Sequence, residues 1–331
     1  MSEARFDVVG IGSAIVDILS RTEDECLAAQ GMVKGTMTLI SADQAKALYA
    51  KMGKAVEISG GSAANTMAGI ASLGGTPAFI GKVGADKLGE IFSHDIKTAG
   101  VHFHGGAPRP PRLPSAMCLI MVTPDAQRTM NTYLGACTEL GPDDIDANLI
   151  ADAHVTYIEG YQWDTPRAKQ AIRKACQTAR RAKRQVALSL SDPFVVERHR
   201  ADLMLLIEDH VDLLFGNEAE VFNLFHVDNF NDAVMRLRQT RTLACMTRSA
   251  KGAVVVDGTT TTEVPAAPVA KVIDTTGAGD LFAAGFLYGF THGRDLAGCA
   301  RIGALAAAEV ISHLGARPEA DLKKALAAAG L

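Results

Sequence analysis

The sequence predicts a three-layer α/β/α fold: a mainly parallel sheet covered by helices on both faces, with a small β-sheet lid beside it. Three observations carry this prediction. From about residue 150 onward, short apolar runs alternate with helical patterns. Strands separated by helices form parallel sheets that are buried on both faces. Near the N-terminus, Phe6 to Gly12 is a β-branched run ending in glycines, the pattern of a buried strand. Finally, Gly105 to Pro114 holds four prolines and two arginines, which cannot build a core helix. The strand-like runs around that break are therefore assigned to the lid.

Taken in order, Thr36 to Ile40 reads as a strand. Ser41 N-caps the next helix, and Gln44 closes a capping box. Glu57 to Gly61 leads into an Ala-rich helix, Ser62 to Leu73, closed by Gly74-Gly75. Ala78 to Val83 is a strand, and Asp86 to Ala99 is a helix stopped by Gly100. Ser115 to Thr123 and Arg128 to Leu134 are strands around a turn at Pro124-Asp125. The lid is expected from about 14–40 and 105–135, within one domain spanning 1–331. Then come strands at Val155 to Ile158, Val186 to Leu190, Val211 to Phe215, Leu243 to Thr247 and Ala253 to Asp257. Helices are expected at Pro166 to Ala182, Glu218 to Phe225, Asp232 to Thr240, Asp295 to Leu314 and Pro318 to Ala329. There is no internal repeat.

Composition narrows the function. At 331 residues with 48% hydrophobic and 21% charged residues, the chain can bury a real core. A net charge of −4 offers no basic surface for nucleic acid. The basic run at 167–184 reads as the solvated face of a covering helix. Six cysteines without a C-x-x-C pair read as reduced thiols. No apolar signal region opens the chain, and no run reaches the roughly 20 apolar residues of a membrane span. The expectation is a soluble cytoplasmic enzyme.

Three motifs are decoys. Gly10-Ile11-Gly12 follows a strand, but the third position of a dinucleotide fingerprint holds Ile15. Gly81-Lys82-Val83 lacks the Ser or Thr that ends a P-loop. His102 and His104 alone are too few for a metal site.

The segment Asp274-Thr275-Thr276-Gly277-Ala278-Gly279-Asp280 is different, because an apolar helical run follows it. N–H groups at a helix start are unpaired and partly positive. Glycines let a phosphate approach them, and a carboxylate there can take a proton from a hydroxyl. Taken alone, Asp280 reads equally as a helix cap. Two other elements fit phosphoryl transfer. Asn217-Glu218-Ala219-Glu220 follows a strand, and its amide and carboxylate share one face of a helix start, a sparse oxygen set suited to hydrated Mg²⁺. Gly60-Gly61-Ser62-Ala63-Ala64-Asn65 is a tight turn that places Asn65 on the first helical turn.

With these segments in view, the chain resembles the ribokinase (PfkB) family of carbohydrate and nucleoside kinases over nearly its whole length. The segments that carry the resemblance are GGSAANTMAGIASLGG, GKVGADKLGEIF, LFGNEAE and DTTGAGDLFAAGF. FDVVGIGSAIVDI and the lid segment PSAMCLIMVTPDAQRTMNTYLGA are most similar to the adenosine kinase branch.

The resemblance implies a ribokinase-like fold and an ATP-dependent kinase acting on the primary (5′) hydroxyl of a nucleoside, adenosine first. A sugar such as ribose, fructose or a ketohexonate is the alternative acceptor. It implies Asp280 as the base and Gly277, Ala278 and Gly279 as an anion hole for the γ-phosphate. Asn217 and Glu220 would position Mg²⁺ through water. Asp17, Gly61 and Asn65 match ribose contacts, with Gly60 in the same turn. Arg128 matches a lid arginine that reaches the phosphates. Thr247 and Gly252 match the loop beside the ATP ribose and base. Asp274, Thr276 and Gly315 match backbone ligands of a monovalent cation, K⁺ being the candidate. Met37, Leu39, Met117, Cys118 and Leu134 make an apolar acceptor wall.

The branch has an aromatic pair where this chain has Tyr161-Gln162-Trp163. Tyr161 or Trp163 either stacks on a purine or packs in the core, and Gln162 has base-edge or sugar contacts open to it. ATP and Mg²⁺ are the implied cofactors. A monomer or a lid-mediated dimer, with no nucleic-acid or membrane partner, is the implied assembly.

Overall fold

The apolar runs become the strands of two sheets. The computed structural model describes residues 4–105, 112–125 and 127–331. In chain order the strands are β1 (Phe6–Ile11), β2 (Ile15–Arg21), β3 (Met37–Leu39), β4 (Ala55–Gly60), β5 (Pro77–Ile80), β6 (His102–His104) and β7 (Ala116–Val122). They continue with β8 (Arg128–Tyr133), β9 (Ala153–Glu159), β10 (Gln185–Ser189), β11 (Leu213–Asn217), β12 (Leu243–Thr247), β13 (Ala253–Asp257) and β14 (Thr260–Val264).

The large sheet runs β14-β13-β12-β11-β10-β9-β1-β5-β6, and the small one runs β3-β8-β7-β2-β4. In the large sheet every pairing from β6 to β12 is parallel. Only β13 and β14 turn back antiparallel. The small sheet mixes a parallel β2–β7 pair with antiparallel β2–β4 and β7–β8 pairs.

Two cores follow from the strand period of two. Along β13, Ala253 and Val255 enter one core, while Val254 and Val256 enter the other. Along β11, Leu213 and Phe215 face the first core, and Leu214 faces the second. Helices Ser62–Ser72, Ala278–Thr291 and Leu296–Val310 supply the first core with Met67, Phe286 and Ile302. Helices Pro166–Arg181, Pro193–His210 and Glu218–Phe225 supply the second with Ile172, Leu203 and Val221. This is the sandwich of helices around a doubly buried parallel sheet expected above.

Two of the helices touch backbone to backbone. A Cβ on Gly285 would lie 2.6 Å from Gly303 N, and one on Gly303 would lie 2.7 Å from Phe282 O. Small residues at that crossing keep helix Ala278–Thr291 fixed, and with it Asp280 on its first turn.

The small sheet takes in more of the chain than the segments expected to form the lid. It includes β4, which was read only as a lead-in to the next helix, and residues 14–40 also contain a short helix, Asp24–Ala29. Part of the Pro-rich break, residues 106–111, lies outside the described residues.

Helix Pro193–His210 was not anticipated, and it kinks at His199 (φ −120°), where the charged run Glu197 to Asp202 blurs the apolar period. Edge strands β6 and β14 also escaped, being short or mostly polar. The helix expected to run to Leu314 ends at Val310, and the last helix begins only at Leu322, capped by Asp321.

Among the described residues no helix is long and apolar enough to cross a membrane. None of their His, Cys, Asp and Glu residues gather in threes as a metal-holding group.

Trp163 is fully buried in the second core. Its reading therefore resolves toward packing. Trp163→Ala is expected to destabilise the fold by about 3–5 kcal/mol, measured by denaturant unfolding, with the unfolding slope unchanged.

Candidate active site

The parallel strands bring their C-terminal ends to one rim. Ile11, Glu159, Asn217 and Thr247 all close strands there. Ligands of open α/β sheets bind along this rim. The lid enters from the same place, because only Gly12, Ser13 and Ala14 separate β1 from β2. β4 likewise passes through Gly61 straight into helix Ser62–Ser72.

Helix Ala278–Thr291 starts on Gly277, which holds φ 79°. A Cβ there would sit 2.8 Å from Ala316 Cα, so glycine answers both the left-handed turn and the close approach. At Gly279 a Cβ would meet nothing within 4 Å. The first N–H groups of this helix have no intrahelical acceptor, and its positive end faces open space at Gly279.

Asp280 lies in that first turn. Its Oδ1 accepts from Ser62 Oγ at 2.6 Å, and its Oδ2 accepts from Asn65 Nδ2 at 3.1 Å. Burial pushes its pKa up to about 6, the Ser62 and Asn65 donors pull it down, and Glu159 adds a further upward push. Part of the residue's surface stays open to the crevice. Above that pH the carboxylate is ionised and able to accept a proton.

The Gly60-Gly61 turn is dictated by close contacts. Gly61 holds φ 95°, and a side chain there would strike the Ser13 carbonyl. A side chain on Gly60 would collide with the Asp17 carboxylate. Asp17 stands on β2 between Ile58 of β4 and Cys118 of β7. Burial pushes its pKa up to about 7, against the pull of Arg317 and then Arg128.

Next to it Cys118 is buried and accepts from Thr132 Oγ1 at 3.2 Å. Its thiol is pushed up to about 12 by burial, which leaves a packing residue rather than a nucleophile. Leu134 and Met117 are half-buried, while Met37 and Leu39 on β3 are exposed. Tyr161 is also exposed, and its hydroxyl donates to Ser191 O at 3.1 Å. Gln162 is buried, and its Nε2 donates to Ser13 Oγ at 2.7 Å and to Glu159 Oε1 at 3.0 Å. Its amide nitrogen is thus engaged within the protein.

Asn217 and Glu220 form a reciprocal cap. Asn217 Oδ1 accepts from Glu220 N at 2.9 Å, and Glu220 Oε2 accepts from Asn217 N at 2.9 Å. Asn217 Nδ2 also donates to Glu220 Oε1 at 2.7 Å. Burial pushes Glu220 up to about 7, with Asp192 and Asp280 adding to it. Capping and a position on the rim coexist in this pair.

Beyond it, Thr247 ends β12, and Gly252 turns the chain at φ 88°, where a side chain would strike Val264 O. Arg248 between them pairs with Glu218 at 2.8 Å and covers the Phe230 ring at 3.7 Å.

The loop before helix Ala278–Thr291 is held by Asp274. Its Oδ1 accepts from Thr276 N and Oγ1, and its Oδ2 accepts from Gly315 N at 3.0 Å. Arg128 Nη2 of the lid lies 2.5 Å from Asp274 Oδ2, and Nη1 donates to Thr276 Oγ1 at 3.1 Å. Arg128, Asp274, Thr276 and Gly315 therefore meet in one cluster.

Ser62, Glu159 and Arg317 were not picked out from the sequence as site residues, although Asn65 was. Ser62 and Asn65 are three apart, so one helix face carries both, and that spacing was available as a signal. Glu159 ends an apolar strand, and its buried carboxylate accepts from Ser13 N and Ala63 N, each at 2.8 Å. It thereby joins the end of β1 to the start of helix Ser62–Ser72. Arg317 reaches Asn65 Oδ1 at 3.5 Å across 252 positions of sequence, with no local signal.

Comparison with known proteins places this geometry in a family. The model of the pfkB family carbohydrate kinases matches residues 31–323. The crystal structure of adenosine kinase from Sinorhizobium meliloti is 49% identical, covers 98% of this chain and 100% of its own, and superposes with a TM-score of 0.92. A probable sugar kinase protein from Rhizobium etli CFN 42 is 47% identical, covers 99% of both chains and also gives a TM-score of 0.92. By sequence, adenosine kinase of Saccharomyces cerevisiae is 27% identical over 93% of this chain and 95% of its own. The chain belongs to the pfkB family of carbohydrate kinases and is an ATP-dependent small-molecule kinase with the ribokinase-like fold.

Proposed function

We propose that this kinase transfers the γ-phosphate of ATP to the 5′-hydroxyl of a nucleoside, with adenosine as the acceptor. The observation that carries the reading is the Asp280 carboxylate. It is held at an open helix start by Ser62 and Asn65, which follow the Gly60-Gly61 bend against which the Asp17 carboxylate packs. The similarity to the Sinorhizobium meliloti and Saccharomyces cerevisiae adenosine kinases supports adenosine.

In this mechanism Asp17 and Asn65 bind the ribose hydroxyls over the Gly60-Gly61 turn. The 5′-hydroxyl points to Asp280, which takes its proton as the oxygen attacks phosphorus. The bond from the γ-phosphorus to the β-bridging oxygen breaks, and its electron pair leaves with ADP. The N–H groups of Gly277 to Asp280 receive the charge on the transferred group, and little covalent chemistry is asked of the protein.

Arg128 adds positive charge from the lid while gripping the Asp274–Thr276 loop. The Glu220 carboxylate, beside the Asn217 amide oxygen, would hold a hydrated Mg²⁺ through water. When bound, that ion neutralises the phosphate oxygens. Thr247 and Gly252 line the ATP ribose and base. Loops 273–276 and 311–315, tied by Asp274, offer carbonyls for K⁺.

Turnover on a panel of adenosine, inosine, guanosine, cytidine, ribose and fructose, with and without K⁺, tests the reading. Adenosine is expected to be used best, and turnover on sugars alone would sink it. Asp280→Asn is expected to lower kcat by about 10²–10⁴-fold, the usual reach of a general base, with the KM for ATP nearly unchanged.

A pH profile gives a separate check. Asp280, at about 6, and Asp17 and Glu220, at about 7, must all lose protons, so kcat/KM is expected to fall on the acid side of neutrality. The Ser62 hydroxyl stabilises the Asp280 anion. Ser62→Ala therefore raises that pKa, and the acid limb of kcat is expected to move to higher pH. A limb that moves down contradicts the assignment of Asp280 as base.

A further inference from the structure

Arg317 belongs to no motif, yet it sits where Asp17 and Asn65 come together. It leaves the loop between helices Leu296–Val310 and Leu322–Ala328, two positions after Gly315, and folds inward. Its guanidinium carbon is 6.0 Å from the centroid of the Phe92 ring. Nε lies 3.5 Å from Asn65 Oδ1. That contact decides which end of the amide faces Asp280: with Oδ1 turned to a cation, Nδ2 is left to donate to the carboxylate.

Arg317 is also the strongest positive influence on Asp17, and Asp95 and Asp17 are the carboxylates that act on it in return. Asp95 in turn accepts from Ser59 Oγ at 2.8 Å. One terminal nitrogen, Nη2, is buried without a hydrogen-bond partner among the described residues. A buried charged donor left unpaired is costly, and a ligand oxygen would satisfy it.

The charge balance narrows the ligand. Asp95 and Asp17 act on Arg317, and Asp280 and Asp274 act on Asp17, while Arg128, which also pulls on Asp17, is already paired with Asp274. Arg317 leaves the acceptor pocket acidic, which disfavours an acceptor bearing a carboxylate or phosphate.

We propose that Arg317 is a positioning and specificity-determining residue. It orients Asn65 and Asp17 to grip a neutral vicinal diol, and it keeps Nη2 for one hydroxyl oxygen of that diol. This rests on the reading of Asp17 and Asn65 as acceptor ligands given above.

Steady-state kinetics of the full chain and of its Arg317→Gln, Arg317→Lys and Asp17→Asn variants test it, on adenosine, 2′-deoxyadenosine and 3′-deoxyadenosine. Arg317→Gln is expected to raise the adenosine KM about tenfold or more, as a lost charged hydrogen bond does, with the KM for ATP held. The loss should shrink to under about threefold on the deoxy analogue that lacks the oxygen Arg317 reads. Arg317→Lys, which keeps the charge but not the fork, should recover part of the affinity and show the same selectivity.

An equal loss on all three acceptors, or no loss, at an unchanged Tm overturns the proposal. If Arg317→Gln does not fold, the same comparison on Arg317→Lys decides. Preferential use of a ketohexonate by the wild type, lost in Arg317→Gln, also overturns it. An unchanged adenosine KM in Asp17→Asn would show that the acceptor site itself is misplaced. A raised KM in Asp17→Asn with an unaffected Arg317→Gln rejects this inference alone.

Discussion

The hydrogen bonds from Ser62 and Asn65 to Asp280 join the N-termini of two helices that lie more than two hundred residues apart in the chain. The rest of the crevice depends on that meeting. Each helix start is a positive end, and the carboxylate between them is held by one donor on each oxygen. Only close packing brings two such ends together. Gly69 against Leu281 and Ala284 removes the side-chain bulk that would otherwise hold those helices apart, and Gly285 against Gly303 seats the second of them on helix Leu296–Val310. Glycine is usually a helix weakener. Here its missing Cβ is what lets the backbones approach.

A second constraint is electrostatic. The crevice collects Asp17, Glu159, Glu220 and Asp280, and burial raises the pKa of each. Each keeps donors around it that oppose the rise: backbone N–H groups for Glu159 and Glu220, a hydroxyl and an amide for Asp280, and Arg317 for Asp17. Such a balance leaves Asp17, Glu220 and Asp280 able to exchange protons near neutrality, the condition a general base needs. Glu159 has a structural part as well, because its two oxygens tie β1 to the helix that carries Ser62 and Asn65.

The lid is coupled to the same centre by charge. Arg128 at the start of β8 meets Asp274, which in turn orders Thr276 and Gly315. A lid position is thereby linked to the loop that opens the helix of Asp280. The other link is covalent, through the Gly12–Ala14 and Gly60-Gly61 connections, where the glycines let Glu159 and Asp17 press against the backbone.

Much of this was legible in the residues alone. The alternation of strands and helices, the Ser41–Gln44 cap, the helix start at Asn217, and the glycine turn before Asp280 are local patterns, and local backbone chemistry enforces them. They were enough for the layered fold and for the open, glycine-led helix start at Asp280. What they could not express is which side chains meet across the chain. Trp163 in the core, Gln162 bound to Ser13 and Glu159, β4 as a lid strand and Arg317 against Asn65 all depend on contacts between distant segments. A residue's neighbours in sequence settle its backbone preferences. Its partners are settled by which faces the packed sheet and helices bury together, and only the tertiary structure decides that.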